Sequence, residues 1–278
     1  MDGSFYLYRA FYAFPKLTNS FGDPSGAIYG VLKMLNSLIK KYKSENLILV
    51  FDAKGKKFRN KLFSKYKAHR PPMPQDLSKQ ILPLYKILYY LGYPIFIIPN
   101  VEADDVIGTI SNQFSNKKYS VYISTGDKDM EQLINNNIKI INTITKNIID
   151  FKIIMNKYGI QPKLIIDLIA LMGDKTDGIP GVCGIGKKTA LNLIQKIGNI
   201  NTIYNNLIKI KQLNFYHSDI IIQKLLKNKN NAFLSYQLAK IKTNLNIKIK
   251  YKKLKKRKTN QKKLLNLLNY YKIKNFFK

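Results

Sequence analysis

A chain of 278 residues, 45% of them hydrophobic, can bury a substantial core in one large domain or two modest ones, which excludes a wholly disordered protein. Against 16 Asp and Glu stand 48 Lys and Arg, a formal net charge of +32, and a molecule this basic is drawn to polyanions. A single cysteine, Cys183, and two histidines, His69 and His217, exclude an intramolecular disulfide and a Cys- or His-rich zinc centre.

The chain opens on Asp2 with no charged and apolar leader, and none of its apolar runs approaches a membrane span. It therefore reads as a soluble, cytoplasmic, nucleoid-associated monomer with no membrane partner. Ser25–Lys43 carries Ile28, Val31, Leu32, Leu35, Leu38 and Ile39 at helical spacing. Leu47–Phe51 is a continuous apolar run, a buried strand, ending at Asp52. From Phe58 and Arg59 to Arg70 the pattern predicts a basic, aromatic helix stopped by Pro71 and Pro72. On it Lys67 and Arg70 lie three apart, hence on one face, as a phosphate clamp or a solvated charged face. Tyr66 is available for base stacking, and His69 is a structural group or a phosphate contact.

Gln80–Leu91 is helical again, Ile95–Ile98 a strand, and Glu102–Phe114 a helix with Glu102, Asp104 and Asp105 at its start. One acid there would satisfy the helix dipole, worth about 0.3–1 kcal/mol, and three exceed that need. The strand Val121–Ser124 leads into a turn with Asp127 and Asp129, which turn chemistry alone would also explain, and Ile138–Asn142 is a further strand. This order of short apolar strands and helices predicts an α/β fold, a mostly parallel central sheet flanked by helices on both faces. Asp52, Glu102 and Asp127 each follow the carboxyl end of a strand, the edge where sites form in open sheets.

From about residue 160 the pattern turns helical: Pro162–Met172, Lys187–Ile197, Ile200–Ile208, Asp219–Leu226 and Leu264–Tyr270. The expected division is a catalytic α/β domain over 1–160 and a helical DNA-binding module over 161–278. Beyond Asp177 only Asp219 is acidic, against 23 Lys and Arg. Some of that excess reads as compositional drift in a chain rich in Lys, Asn, Ile and Tyr, and Lys252–Lys263 as a solvated loop. Gly181–Ala190 is a glycine-rich turn feeding a helix. There Gly184 and Gly186 let the backbone approach a phosphate, and Lys187 and Lys188 follow them. The flanking helices make it a helix–hairpin–helix, able to grip a duplex backbone without reading sequence.

Nine of the sixteen acids thus fall in five clusters: Asp2; Asp52; Glu102, Asp104 and Asp105; Asp127 and Asp129; Asp174 and Asp177. Should they converge, they would repel one another unless divalent cations held them. Hard cations such as Mg²⁺ prefer oxygen ligands, and two of them about 3.5–4 Å apart can clamp a phosphodiester during hydrolysis.

Several stretches together resemble the 5′–3′ exonuclease domain of bacterial DNA polymerase I, in the flap endonuclease superfamily. They are Asp2-Gly3-Ser4 with Tyr8-Arg9-Ala10-Phe11, Phe51-Asp52, Tyr66-Lys67-Ala68-His69-Arg70-Pro71-Pro72-Met73-Pro74 and Val101-Glu102-Ala103-Asp104-Asp105. Ser124-Thr125-Gly126-Asp127-Lys128-Asp129 and Leu171-Met172-Gly173-Asp174 through Ile179-Pro180-Gly181-Val182 complete the set. The resemblance spans essentially the whole chain. It implies a PIN-like fold with a helical arch, and a structure-specific 5′ nuclease acting on DNA with 5′ flaps, nicks or RNA primers, alongside a separate DNA polymerase. It implies two Mg²⁺ ions, replaceable by Mn²⁺: Asp2, Asp52 and Asp104 around the first, and Asp104, Asp127, Asp129 and Asp177 around the second. Glu102, Asp105 and Asp174 would hold waters or the outer shell. Lys67 and Arg70 would lie on the arch, Arg9 would touch the scissile phosphate, and a K⁺ ion would sit on carbonyls of the hairpin.

Three departures from the family pattern stand out. Only Met1 precedes Asp2 where a strand is usual, which predicts a loosened ligand and a chain less active than one extended upstream. Gly178 replaces a usual Asn and Cys183 a usual Pro. No polymerase segment follows. Two competing readings are a catalytically impaired DNA-binding protein, favoured by the missing strand, and a PIN-type ribonuclease, disfavoured by the basic arch and hairpin.

Overall fold

The alternation of helix and strand expected for the first 150 residues appears in a computed structural model, which describes all residues except 45, 214, 248, 250–253, 275, 276 and 278. Along the chain run α1 (Gly3–Ala13), α2 (Gly26–Tyr42), β1 (Leu49–Asp52), α3 (Phe58–Leu62), α4 (Gln75–Tyr90), β2 (Ile95–Ile98) and α5 (Ala103–Ser115). Next come β3 (Val121–Thr125), β4 (Ile138–Asn142) and the short β5 (Ile148–Ile149). The remainder is helical: α6 (Phe151–Tyr158), α7 (Ile165–Met172), α8 (Lys187–Lys196), α9 (Ile200–Asn205), α10 (Ile208–Gln212), α11 (Ser218–Lys227), α12 (Lys229–Ala239) and α13 (Gln261–Tyr270). The chain divides into two compact units, one of Met1–Lys54, Pro71–Ile110 and Asn244–Lys278, the other of Gly55–Arg70 and Ser111–Thr243.

In the first unit β1 and β2 pair in parallel, with Leu49 opposite Ile95 and Asp52 opposite Ile98. Both strands are continuous apolar runs, and Leu49, Val50 and Phe51 are buried. The core forms where α2 turns Ile28, Val31, Leu32 and Leu35 toward Leu77, Leu84, Ile87 and Leu88 of α4 and Leu264 and Leu268 of α13. α1 packs closely on α2 because α2 offers glycine at the contact. A Cβ on Gly30 would lie 2.7 Å from that of Ala10, and one on Gly26 only 1.9 Å from the carbonyl oxygen of Phe14. Ser25 leaves the first N–H groups of α2 without a side-chain cap. Instead the amide oxygen of Gln80 accepts from Ala27 at 2.8 Å and Ile28 at 3.3 Å, meeting the need for partners at a buried helix start.

Two expectations are corrected in this unit. Asp2 is not loosened: the Met1 nitrogen donates to the Ile48 carbonyl at 2.8 Å, and Val50 donates to the Met1 carbonyl at 3.1 Å. Asp2 itself bridges Val50 in parallel fashion and caps α1 through Phe5 N–H. The basic stretch 252–263 is a solvated loop in part: Lys255, Lys256, Arg257 and Lys258 are exposed in irregular backbone, but its two ends are tied to the fold. Residues 252 and 253 lie outside those described, but Leu254 is buried and α13 begins at Gln261. The N–H groups of Arg257 and Asn260 donate to the carbonyls of Gly92 and Tyr90.

In the second unit β3 and β4 pair in parallel and β5 adds antiparallel to β4. The apolar helix α7 packs against α8 and α12, burying Leu168, Ile169, Ala170 and Leu171. Its buried Asp167 accepts from Ile200 N–H at 2.8 Å. The stretch 58–70, expected as one helix, is helical only over Phe58–Leu62, after which Lys67 takes a positive φ of 54°. Within it Arg59 is buried rather than aimed at solvent. Its guanidinium donates to the carbonyls of Leu238 at 2.8 Å and Lys240 at 2.7 Å, and it lies over the Phe58 ring. Glu131 is likewise buried, held by the Lys157 ammonium at 2.8 Å and the Tyr158 hydroxyl at 3.0 Å. Among the described residues, no helix is long and apolar enough to cross a membrane.

Candidate active site

Each compact unit carries its own group of carboxylates. In the first, Asp2 is buried, and its Oδ1 accepts from Phe5 N–H at 2.9 Å as the cap of α1. Asp52 ends β1, where its N–H donates to Ser4 Oγ at 2.8 Å and its Oδ1 accepts from Ala103 N–H at 3.0 Å. It thus meets one of the free N–H groups at the start of α5, as a neighbouring strand end is placed to do. Glu102 N–H donates to Asp105 Oδ2 at 3.3 Å, and Asp105 is fully buried. The acid triplet is therefore divided in labour: Asp105 serves the helix start, while Asp104 is half-buried one position before it. Arg9 is half-buried on α1.

The second unit holds Asp127, Asp129, Asp174 and Asp177. Asp127 leaves β3 in a tight turn in which its N–H donates to Thr125 Oγ1 and its Oδ1 accepts from Asp129 N–H at 2.9 Å. Asp174 and Ile179 pair across a narrow hairpin, and Asp174 Oδ1 accepts from Thr176 N–H at 2.6 Å and Asp177 N–H at 3.3 Å. Burial first, then the charges of Asp127, Asp177 and Asp174, push the Asp129 carboxyl up to about 7, against an opposing pull from Lys67. These four acids feel one another. The protonated form of Asp129 gains from the fold, a sign that positive charge is short around it.

Lys67 and Arg70 supply part of that charge. The Lys67 ammonium lies 3.3 Å from Asp177 Oδ2, and the Arg70 guanidinium pairs with Asp177 Oδ1. Tyr66 is only 3% exposed, with its hydroxyl 3.4 Å from Asp177 Oδ2 and Lys67 over its ring. Base stacking by Tyr66 is not supported here, because packing covers the ring; the residue lines the acid cluster from below. His69 is exposed beside Gly178. Gly178 has φ +68°, and a Cβ there would come within 2.8 Å of the Lys65 carbonyl oxygen. The missing side chain thus lets the turn 63–70 settle on Asp177.

At the hairpin, Gly184 takes φ +78° and Gly186 precedes the first turn of α8. Lys187 and Lys188 are exposed at that helix start, the Lys187 ammonium 5.0 Å from the Tyr158 ring centre. The Gly184 carbonyl accepts from the Lys224 ammonium at 3.1 Å. That carbonyl, one of those expected to carry a K⁺ ion, thus meets an exposed lysine ammonium.

Among the described residues no three Asp, Glu, His or Cys side chains converge closely enough to hold one ion directly. Within the second unit the donor set is nonetheless all oxygen and electrostatically coupled. That combination suits a hydrated hard cation, which keeps several of its waters, and does not suit tetrahedral zinc.

Residues 1–159 match the family model of the 5′–3′ exonuclease N-terminal, resolvase-like domain, and residues 160–262 that of the 5′–3′ exonuclease C-terminal SAM fold. The chain belongs to the 5′–3′ exonuclease family. It is 46% identical to a 5′–3′ exonuclease of Buchnera aphidicola (subspecies Baizongia pistaciae) over 278 residues, covering 100% of this chain and 92% of that one. It is also 46% identical to DNA polymerase I of Pseudomonas aeruginosa over 277 residues, which are 99% of this chain and 30% of the polymerase. Among solved structures the zinc-bound T5 5′-exonuclease superposes with a TM-score of 0.67 at 23% identity, covering 97% of each chain. That likeness supports the mixed α/β fold.

One expected result concerns Asp129. A raised carboxyl pKa favours the protonated fold, so its contribution to stability is full in acid and is lost as pH rises toward about 7. With divalent ions chelated, wild-type protein should lose stability relative to Asp129→Asn between about pH 5 and about pH 8. Thermal unfolding of both proteins at the two pH values checks this. Parallel melting curves would remove Asp129 from the coupled cluster.

Proposed function

We propose that the chain is a divalent-metal-dependent, structure-specific 5′ nuclease, hydrolysing DNA and RNA-primer phosphodiesters at 5′ flaps and nicks during replication and repair. The observation that carries this reading is the meeting of Asp127, Asp129, Asp174 and Asp177 with Lys67 and Arg70: carboxylates for a metal ion beside cations for a phosphate. Asp127, Asp129, Asp174 and Asp177 would face one hydrated Mg²⁺ or Mn²⁺ and act on it through its waters. Asp2, Asp52 and Asp104 would hold another, with Glu102 and Asp105 behind them. Ions held there would supply a nucleophilic hydroxide at neutral pH and would offset charge on the reacting phosphate. The chain's own groups do the rest. Lys67 and Arg70 would draw in and orient a phosphate at the acids of the second unit, Arg9 would do so at those of the first, and the backbone N–H bonds to Asp2, Asp52, Asp127 and Asp174 hold the carboxylates still.

Residues 1–160 carry the chemistry in this reading, and 161–278 grip the duplex through Gly184, Gly186, Lys187 and Lys188. A DNA polymerase, in the same or another chain, would fill the gap left behind. Incubation with a 5′-flap duplex and with single-stranded RNA, with Mg²⁺ and with EDTA, tests the reading. Flap cleavage confined to the Mg²⁺ reaction is expected. Cleavage that survives chelation, or that prefers the RNA, overturns it.

The hairpin has a separate signature. Replacing both Lys187 and Lys188 by Ala should weaken duplex binding and lower the slope of log affinity against log salt by about two, since each phosphate contact contributes roughly 0.9. A slope equal to that of the wild type would place the duplex contact elsewhere.

A further inference from the structure

Away from its acids, the first unit carries a second charged surface. The two stretches that build it, Leu77–Val101 and Asn244–Lys278, contain no Asp or Glu. Three of its cations are seated on tyrosine rings. The Lys256 ammonium lies 4.9 Å from the ring centre of Tyr93, the Arg257 guanidinium 4.1 Å from that of Tyr89, and the Lys263 ammonium 5.8 Å from that of Tyr90. The rings of Tyr89 and Tyr90 meet edge to face, so two of the seats adjoin. All three cations are exposed. A cation over a ring keeps its charge and loses much of its freedom to wander. The backbone beneath is fixed as well. Arg257 N–H donates to the Gly92 carbonyl and Asn260 N–H to the Tyr90 carbonyl, each at 2.8 Å. Gly92 has φ +90°, and a Cβ there would lie 2.1 Å from the Arg257 carbonyl oxygen, an approach that only glycine admits. Compositional drift supplies lysines but no seats of this kind.

The surface sits at the amino-terminal edge of β1 and β2, where Leu49 N–H donates to the Pro94 carbonyl. Asp52 and Ile98 end the same strands at the other edge, about 10–13 Å away at roughly 3.3 Å per residue. We propose that Lys256, Arg257 and Lys263, on their tyrosine platform, form a second phosphate-binding surface that grips the backbone of duplex nucleic acid outside the stretch being cleaved. A guanidinium stacked by one face keeps its edge N–H groups free for two phosphate oxygens. The cations occupy the ring faces, which favours contact with the backbone over stacking on bases. The grip owes nothing to the acid clusters, to a metal ion or to Lys187 and Lys188.

The test is binding of a blunt duplex, carrying neither flap nor nick, in EDTA, so its outcome stands apart from the metal reading. Removing the three seated cations together, as Lys256→Gln, Arg257→Gln and Lys263→Gln, should lower the slope of log affinity against log salt by about two to three, at roughly 0.9 per phosphate contact. The same loss of charge at Lys255, Lys258 and Lys262, exposed in the same stretch, should lower it by less than about one. A slope unchanged in the first variant, or falling equally in both, overturns the proposal, because the attraction would then be a general field. A second measurement uses the unaltered chain and holds even if the first variant fails to fold. Duplex should protect the Lys256 and Lys263 amines from acetylation several-fold, read by mass spectrometry. Absence of protection overturns the proposal. So does protection by anionic phosphatidylserine vesicles without protection by duplex, which would make the surface one for lipid.

Discussion

Asp127→Asn should lower single-turnover flap cleavage on the order of 100-fold or more, the loss expected when the hold on a catalytic metal is weakened. Asparagine keeps the side-chain oxygen that accepts from Asp129 N–H, so the turn after β3 should survive and only the charge should go. Part of the pressure on Asp129 goes with it, because the Asp127 charge follows burial as a cause of its raised pKa. Three measurements separate the possibilities. Circular dichroism reports the fold, calorimetry the metal affinity, and quenched-flow the chemical step. Wild-type rates together with wild-type metal affinity would take Asp127 out of the site.

The second large effect is on stability. Arg59→Met is expected to destabilise the protein by roughly 3 kcal/mol, although it lies in a stretch whose composition looks like exposed surface. Methionine fills much of the volume but leaves the buried carbonyl of Leu238 without this donor, at about 1–3 kcal/mol, and loses the charged bond to the part-buried carbonyl of Lys240 as well. Relief from burying a guanidinium offsets some of that cost. Lys61→Ala, two residues on and exposed, should stay within about 0.5 kcal/mol. Denaturant midpoints of the two variants, read against the wild type, decide the matter. Equal midpoints for Arg59→Met and Lys61→Ala would mean that the bonds to 238–240 contribute nothing.

Arg59 also marks where the sequence becomes hard to read. The stretches at 49–51, 95–98, 121–123 and 138–141, apolar but for Lys139, announce strands by themselves, and the acids at 52, 102 and 127 fall where parallel strands end. Those features are local, and the structure keeps them. Residues 58–70 offer only a local pattern of bases and aromatics, which reads as an exposed helix, while what buries Arg59 and Tyr66 lies more than a hundred residues away at 177 and 238–240. Gln80 capping α2 from a different helix and Glu131 between Lys157 and Tyr158 are hidden for the same reason. Helix α12 was missed on other grounds: its buried face is largely Ala232, Ser235 and Ala239, small residues that leave little apolar period. Of the acids, sequence could mark the clusters but not their second duties, because capping depends on which N–H groups the fold brings near.

Those second duties bear on how quickly a site of this kind can be loaded. Asp2 caps α1, Asp52 meets the first N–H of α5, and Asp127 and Asp174 close their own turns, so each carboxylate is set by the backbone it serves. On the proposed reading, carboxylates held in this way would have little left to search for when an ion arrives. The slow event would then belong to the ion, which must give up part of its water shell, and Mg²⁺ does so reluctantly. Chelation should correspondingly leave the far-ultraviolet circular dichroism of this protein unchanged, in contrast to small zinc domains whose folding waits on their metal.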